Sequence, residues 1–256
     1  MILMNKNEQF LLEEIIKKNF SSKYKDSVLG IFWSVLRPLL IMIVLTIVFS
    51  TFFKSYVDNY PVYLLSGRCI YEFFVGSVGV AMNSISGNKN ILQKTAAPKY
   101  IFVLGSIISE IINFIITLII LFAVMIVTHA PFNLAIMPFS IIPIASALIM
   151  FTGLGLILAI LRAYYSDIQH LWGVITMIVM YASAIFYPME IIPEPYHSYL
   201  ILNPIFWIID QFRCFIYQGT FPATINIINS LLLSSIVLVL GIIVFKKYEK
   251  RVSMKF

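Results

Sequence analysis

Long apolar segments separated by short polar breaks run through the whole chain. Six of them contain few charged residues and approach the length that a helix needs to cross a hydrocarbon core of about 30 Å. They cover residues 30–53, 63–81, 101–127, 138–160, 171–187 and 225–245. The pattern predicts an all-α integral membrane protein in which residues 30–245 form one bundle of six transmembrane helices.

The first 25 residues carry a different pattern. Leu11, Leu12, Ile15 and Ile16 recur at helical spacing, and charged residues occupy the remaining faces. This predicts an amphipathic interface helix within residues 1–25 that lies on the membrane surface. An ordinary helix packed on the protein's own cytosolic face is the alternative, because an apolar stripe does not distinguish lipid from protein.

Residues 188–222, between the predicted fifth and sixth spans, are semi-apolar and interrupted by five prolines. The apolar pieces are too short to cross a membrane. Irregular backbone at membrane depth is tolerated only where it is buried in protein or lines a wet cavity. We therefore predict a re-entrant helical hairpin on the extracytoplasmic side.

Composition and charge support a membrane location with a defined orientation. The chain is 60% hydrophobic and only 12% charged, whereas soluble domains average roughly 25% charged residues. If both termini are cytoplasmic, all 18 lysines and arginines lie inside except Lys54, Arg68 and Arg213. This bias favours an even number of crossings and a basic cytoplasmic tail at residues 246–256. It also explains the net charge of +6 without a nucleic-acid partner.

Signatures of nucleotide hydrolysis and metal chemistry are missing from the sequence. There is no G-x-x-x-x-G-K-[ST] phosphate loop, so any ATP must be handled by a partner. His129, His170 and His197 are isolated in the sequence, and none has the paired spacing of a metal site or a hydrolytic base. We predict neither a catalytic site nor a bound metal.

Charged residues within the predicted spans need a separate explanation, since each costs roughly 2.5 to 3.5 kcal/mol on insertion scales. Arg68 and Glu72 are four residues apart and are expected to pair on one helix face. Glu110 is expected to bond a polar neighbour such as Asn113. A role in a transport pathway is the alternative for all three intramembrane charges.

Aromatic residues make up 15% of the chain, and most belong to ordinary interfacial belts. Four of them are candidates for lining a passage in which ring faces stack against sugars. These are Trp33 on the first span and Tyr181, Phe186 and Tyr187 on the fifth. Plain packing is the alternative.

Two stretches resemble one known family. The segment KYKDSVLGIFWSVLRPLL at residues 23–40 resembles the entry of the polysaccharide-exporting permeases of the ABC-2 type transporter family. The segment YYSDIQHLWGVITMIVMYASAIFYP at residues 164–188 looks like the family's inner loop and fifth span. In the first stretch the matching residues are Tyr24, Ser27, Leu29, Gly30, Trp33 and Pro38. After the second stretch, Pro193, Leu202, Asn203, Pro204 and Arg213 look like the family's extracytoplasmic hairpin.

The resemblance implies a homodimeric permease in the bacterial plasma membrane, joined to two separate ATPase subunits that use ATP and Mg. Its substrate would be a lipid-linked polysaccharide such as an O-antigen, teichoic acid or capsule precursor. The interface helix, the polar segment near residues 86–99 and the loop at 165–170 are expected to contact the ATPase. The contact residues are Glu13, Lys17, Asn88, Lys89, Leu92, Lys94, Asp167 and His170.

Two other classes of protein share some of these features. A secondary transporter or channel should show several ionisable groups at mid-membrane or an inverted internal repeat. A membrane-embedded enzyme acting on lipid-linked sugars should show clustered Asp, Glu, His or metal ligands at one membrane face. Asp167 and His170 are too sparse for such a cluster.

Overall fold

The computed structural model describes residues 5–23, 28–53, 55–95, 97–131 and 133–255. Tyr24 and Ser27 of the first motif, and residues 1–4 of the amphipathic segment, lie outside these ranges. The described residues are mostly helical, without a β-strand among them. Within these ranges ten α-helices follow one another: α1 Lys6–Ser22, α2 Phe32–Phe53, α3 Tyr60–Asn83, α4 Lys89–Lys94, α5 Lys99–Val127, α6 Ile141–Tyr164, α7 Ile168–Tyr181, α8 His197–Ile201, α9 Pro204–Arg213 and α10 Thr224–Lys255.

In the part of the chain that the structure describes, five segments are long and apolar enough to cross a membrane. They are α2, α3, α5, the stretch Met137–Tyr164 that contains α6, and Thr224–Arg251 within α10. Five of the six predicted spans are therefore confirmed. The predicted span 171–187 coincides instead with α7, whose 14 residues cover about 21 Å. Helix α10 also continues through the predicted tail 246–256 as far as Lys255.

Helix α1 and the C-terminal end of α10 lie at the same end of the bundle, here called the α1 end. Ile15 of α1 packs with Ile101 and Phe102 at the start of α5. At the end of α6, the Tyr164 ring packs edge-on against Tyr248 near the end of α10, with ring centroids 6.4 Å apart. The start of α5 and the end of α6 pack in one cluster with Phe245 of α10. Helix α1 and the C-terminal part of α10 therefore lie at the same end of the bundle.

The segment from α7 to residue 187 runs antiparallel along α3. The Trp172 ring packs 5.2 Å from Phe74, and the Tyr71 hydroxyl donates to the Thr176 carbonyl at 3.0 Å. Farther along, the Tyr60 hydroxyl donates to the Phe186 carbonyl at 2.8 Å. Helix α3 rises about 21 Å between positions 60 and 74, so this segment follows α3 over most of its length.

The packed core centres on α3, which is buried on almost every face. Helices α6 and α10 approach so closely that a Cβ at Gly153 would stand 2.5 Å from the Val237 carbonyl oxygen. A Cβ at Gly241 would stand 2.5 Å from the Gly153 carbonyl oxygen. Two glycines thus allow two apolar helices to pack backbone to backbone, which is how helices associate where lipid removes the hydrophobic driving force.

The apolar stripe of α1 is covered by protein rather than left bare. Leu11, Leu12 and Ile15 pack against the first turns of α5. Ile15 fits over Gly105, where an added Cβ would meet its Cγ2 at 2.7 Å. Packing on the protein's own surface, the alternative raised from the sequence, therefore accounts for the stripe. The charged face of α1 stays exposed, as does Phe10.

Candidate functional site

The charged residues within the spans form two local pairs, as predicted. Arg68 pairs with Glu72 one helical turn later on α3. On α5, the Asn113 amide donates to a carboxylate oxygen of Glu110 at 3.0 Å. Both pairings follow from the spacing of neighbouring residues on a helix surface.

Glu110 has a second partner that the local pattern did not reveal. Lys23, which follows α1, places its ammonium 2.7 Å from one carboxylate oxygen and 2.8 Å from the other. The Glu110 side chain is 6% exposed and the Lys23 side chain 38%. A second contact joins α1 to α5 one helical turn before this ion pair: the Asn19 amide donates to the Ser106 hydroxyl at 3.1 Å. The buried carboxylate therefore ties the residue that follows α1 to α5.

A cavity of about 530 Å³ opens between α2, α3 and α5 beside these charges. On α2, Trp33 and Arg37 lie one helical turn apart and both line the cavity. The three intramembrane charges singled out from the sequence all line it. Among the described residues, the charged ones that line the cavity are Lys23, Arg37, Arg68, Glu72 and Glu110. The cavity is therefore a charged pocket set among apolar helices.

The segments predicted to contact an ATPase meet around a groove at the α1 end. The Lys18 ammonium donates to the Asn88 amide oxygen at 2.7 Å, joining α1 to the turn before α4. Gln169, beside Asp167 and His170, lines the same groove. Glu13, Lys17, Lys89 and Lys94 are exposed, as are Asp167 and His170, whereas Leu92 is partly buried against the α1 and α5 cluster. The structure thus brings the three segments to one face, and the contact itself stays a prediction.

The four candidate passage residues do not lie together. Phe186 packs against Tyr181 with ring centroids 6.0 Å apart, and the Tyr187 hydroxyl donates to the Tyr181 carbonyl. Phe186 also stacks 6.3 Å from Phe49, near the far end of α2. Trp33 lies sixteen residues earlier on that helix, which corresponds to about 24 Å. It lines the charged cavity at the α1 end instead.

Arg213 holds the chain where α7 ends. Its guanidinium is buried and donates to the Tyr63 hydroxyl at 2.9 Å and to the Ala184 and Ile185 carbonyls at 2.8 and 3.0 Å. Ala184 adopts a φ of +48°, the left-handed region that alanine rarely occupies. The guanidinium thus pairs with backbone carbonyls of the non-helical turn that follows α7, which would otherwise lack donors in a dry environment.

Asn203 also binds the turn that follows α7. Its amide nitrogen donates to the Ala182 carbonyl at 3.0 Å and to the Ser183 hydroxyl at 2.7 Å. Asn203 and Arg213 belonged to the sequence motif, but their roles depend on contacts 20 to 29 residues away. Only a folded structure reveals such partners.

The comparison with known proteins agrees with this architecture. The profile of the ABC-2 type transporter family matches residues 11–217, from within α1 into the π-helical turn Cys214–Gln218. The chain belongs to the ABC-2 type transporter family. The matched range includes Asn203 and Arg213, which bind the turn after α7, and the charged residues named above that line the cavity. These features therefore lie within the transporter's membrane domain. The family comprises transport permeases rather than enzymes.

Individual relatives of this ABC-2 transporter extend over nearly its whole length. The O-antigen export system permease protein RfbA of Klebsiella pneumoniae is 27% identical over 243 residues, 94% of this chain and 93% of the relative. The Myxococcus xanthus protein of the same name is 22% identical and covers 83% of this chain and 82% of its own. The polysialic acid transport protein KpsM of Escherichia coli is 18% identical, over 95% of both chains.

Proposed function

We propose that this chain is the permease subunit of an ATP-driven exporter that moves a lipid-linked polysaccharide across the bacterial plasma membrane. The observation that carries the proposal is the end-to-end similarity to permeases named for O-antigen and capsule-type export. A separate ATPase, using ATP and Mg, supplies the energy, because the chain has no phosphate loop of its own. O-antigen, teichoic acid and capsule precursors are the candidate substrates.

Six crossings with both termini in the cytoplasm are part of the proposal. Five spanning helices alone would leave the two termini on opposite sides, yet α1 and the end of α10 lie at the same end of the bundle. The segment made of α7 and residues 182–187 follows α3 and supplies a sixth crossing. Residues 188–222 then form a re-entrant hairpin at the far end, where Gln211 donates to the Asn226 carbonyl at the start of α10.

A homodimer is the proposed assembly. One bundle of six helices is too narrow to enclose a hydrated sugar chain, whereas two copies on a twofold axis can do so. Helices α2 and α7 expose apolar residues along most of their length, as α10 does, and are open to contact with lipid or with a second copy. In the dimer, α2 and α7 of both copies face the passage, with Tyr181, Phe186 and Tyr187 near its outer end.

The docking part of the proposal is tested by co-purification with a tagged ATPase partner. Lys94→Glu reverses an exposed charge on α4 and should abolish recovery of the ATPase together with polysaccharide export. Lys250→Glu is the matched control, since Lys250 is equally exposed at the α1 end but lies on α10. Full ATPase recovery with Lys94→Glu, or equal loss with both variants, would contradict docking at the groove.

A further inference from the structure

The cavity and the groove at the α1 end lie one after the other along α3. Residues of α3 at positions 65–76 line the cavity, and residues at positions 75–83 line the groove, which has a volume of about 670 Å³. Lys23, Val75 and Gly76 line both spaces. The two spaces therefore meet end to end at these three residues.

The ion pair between Lys23 and Glu110 occupies this junction. On α5, Ser106 lines the groove and Glu110, one helical turn later, lines the cavity. Lys23 reaches the two carboxylate oxygens from the end of α1, at 2.7 and 2.8 Å. From α3, Gly76 faces the same carboxylate, and a Cβ at this glycine would stand 2.7 Å from its Oε2. The pair therefore fills the gap that a glycine leaves between α3 and α5.

The two members of the pair differ in how easily they move. Glu110 is 6% exposed and also accepts a hydrogen bond from Asn113 on its own helix. Lys23 is 38% exposed, and its ammonium ends a flexible stem that can turn into water. Its departure would leave the packing of α3 against α5 in place, and water entering from the groove would solvate the carboxylate. The junction thus has two discrete arrangements, one with the ion pair formed and one with the lysine in solvent.

We propose that the Lys23 side chain is a gate between the groove and the cavity. Its ion pair with Glu110 holds the gate closed in this structure, and movement of Lys23 toward solvent opens it. Opening joins the two spaces and admits water from the α1 end to the cavity. The gate lies within one subunit and requires neither a second copy, an ATPase nor a glycan, so it goes beyond the proposed function.

Water in the cavity would act on α2, which forms one of its walls. Among the spans that the structure describes, α2 is the least buried. Water raises the local dielectric constant and so weakens the electrostatic contacts of the cavity wall. The gate is therefore placed to control how firmly α2 is held against α3 and α5.

Cys69 is a native reporter for the open gate, because it lines the cavity and is 1% exposed. In a Cys214→Ser background it is the remaining cysteine of the full chain. The measurement is its rate of modification by 2-sulfonatoethyl methanethiosulfonate, a charged reagent that stays in water, followed by mass spectrometry of the purified protein. Lys23→Ala removes the side chain that separates the two spaces. It should raise this rate about tenfold, which corresponds to about 1.4 kcal/mol.

Lys18→Ala is the matched control. Lys18 also lies on α1 and lines the groove, where it donates to Asn88, but it does not line the cavity. Its replacement should leave the rate of Cys69 modification unchanged. A second variant, Glu110→Gln, keeps the size of both side chains and removes the ion pair, so it should raise the rate less than Lys23→Ala does.

Cys214 separates opening of the gate from unfolding. It is buried in the turn after α9, outside both spaces. In a Cys69→Ser background, Lys23→Ala and Glu110→Gln should leave its modification rate unchanged, whereas a general loss of stability would raise it as well. Equal Cys69 rates in the parent chain and all three variants would overturn the proposal. Equal increases at Cys69 and Cys214 in both gate variants would also overturn it.

Discussion

Removing Lys23 and removing Glu110 from their ion pair should lower the free energy of unfolding by very different amounts. Glu110 is 6% exposed and Lys23 is 38% exposed. Replacing Lys23 by Met leaves a buried carboxylate with Asn113 as its remaining hydrogen-bond donor in the structure. Removing one member of a buried pair costs about 3 to 5 kcal/mol. We expect Lys23→Met to lower the free energy of unfolding by about 3 kcal/mol.

Glu110→Gln should be far milder. The freed Lys23 ammonium already reaches solvent and can extend farther along its flexible stem, and the amide that replaces the carboxylate retains an oxygen for Asn113. An exposed charge gains little from its partner because water and salt screen the pair, so we expect a loss of about 1 kcal/mol. The double variant Lys23→Met/Glu110→Gln should then be more stable than Lys23→Met alone.

Cys69 and Cys214 provide the assay, because both are free thiols buried in the folded chain. A thiol-reactive fluorescent dye reports their exposure as detergent-solubilised protein is heated. The double-mutant cycle yields a coupling energy of about 2 kcal/mol if the reasoning holds. Equal losses for the two single variants, or simple additivity in the double variant, would refute the buried pair.

Three further outcomes follow from packing, hydrogen bonding and titration. Gly153→Ala should force α6 and α10 apart and lower the free energy of unfolding by about 1 to 3 kcal/mol. At Gly173 an added Cβ meets open space, so Gly173→Ala should leave the free energy of unfolding unchanged or raise it by up to about 1 kcal/mol. Thermal unfolding compares the two variants. Arg213→Met should lower the free energy of unfolding by about 3 kcal/mol, because it leaves the Ala184 and Ile185 carbonyls unpaired. Arg213→Lys should not restore this stability, because an ammonium lacks the planar set of donors of a guanidinium. Protease sensitivity of the hairpin reports the loss. Burial raises the pKa of the Asp210 carboxyl, and the Arg213 guanidinium partly offsets this. Stability from this group is therefore lost as the pH rises above about 4 toward the folded-state pKa, and Asp210→Asn should flatten that part of a pH titration of unfolding.

Features governed by neighbours along the chain could be predicted from the sequence. Spans follow from apolar length, and the Arg68–Glu72 and Glu110–Asn113 contacts follow from helical spacing. Lys23 could not be assigned to Glu110, because 87 residues separate them and many arrangements of spans place other cations nearby.

The end of α7 shows the same limit. Apolar residues continue past Tyr181 without a change in composition, so the sequence predicted a span to residue 187. Past Tyr181 the backbone turns instead: Asn203 and Arg213 donate to the Ala182 and Ala184 carbonyls, and Ala184 takes a positive φ that an α-helix does not allow. Neither feature is visible in a hydropathy pattern.

The central claim is that this chain forms the membrane passage of an exporter while another subunit hydrolyses ATP. Its most direct test is transport in proteoliposomes that contain the purified permease with or without its ATPase partner and a lipid-linked polysaccharide. We expect ATP-dependent translocation only when both proteins are present, and no nucleotide hydrolysis by the permease alone. Translocation driven by the permease without the ATPase, or ATP turnover by the isolated chain, would contradict it.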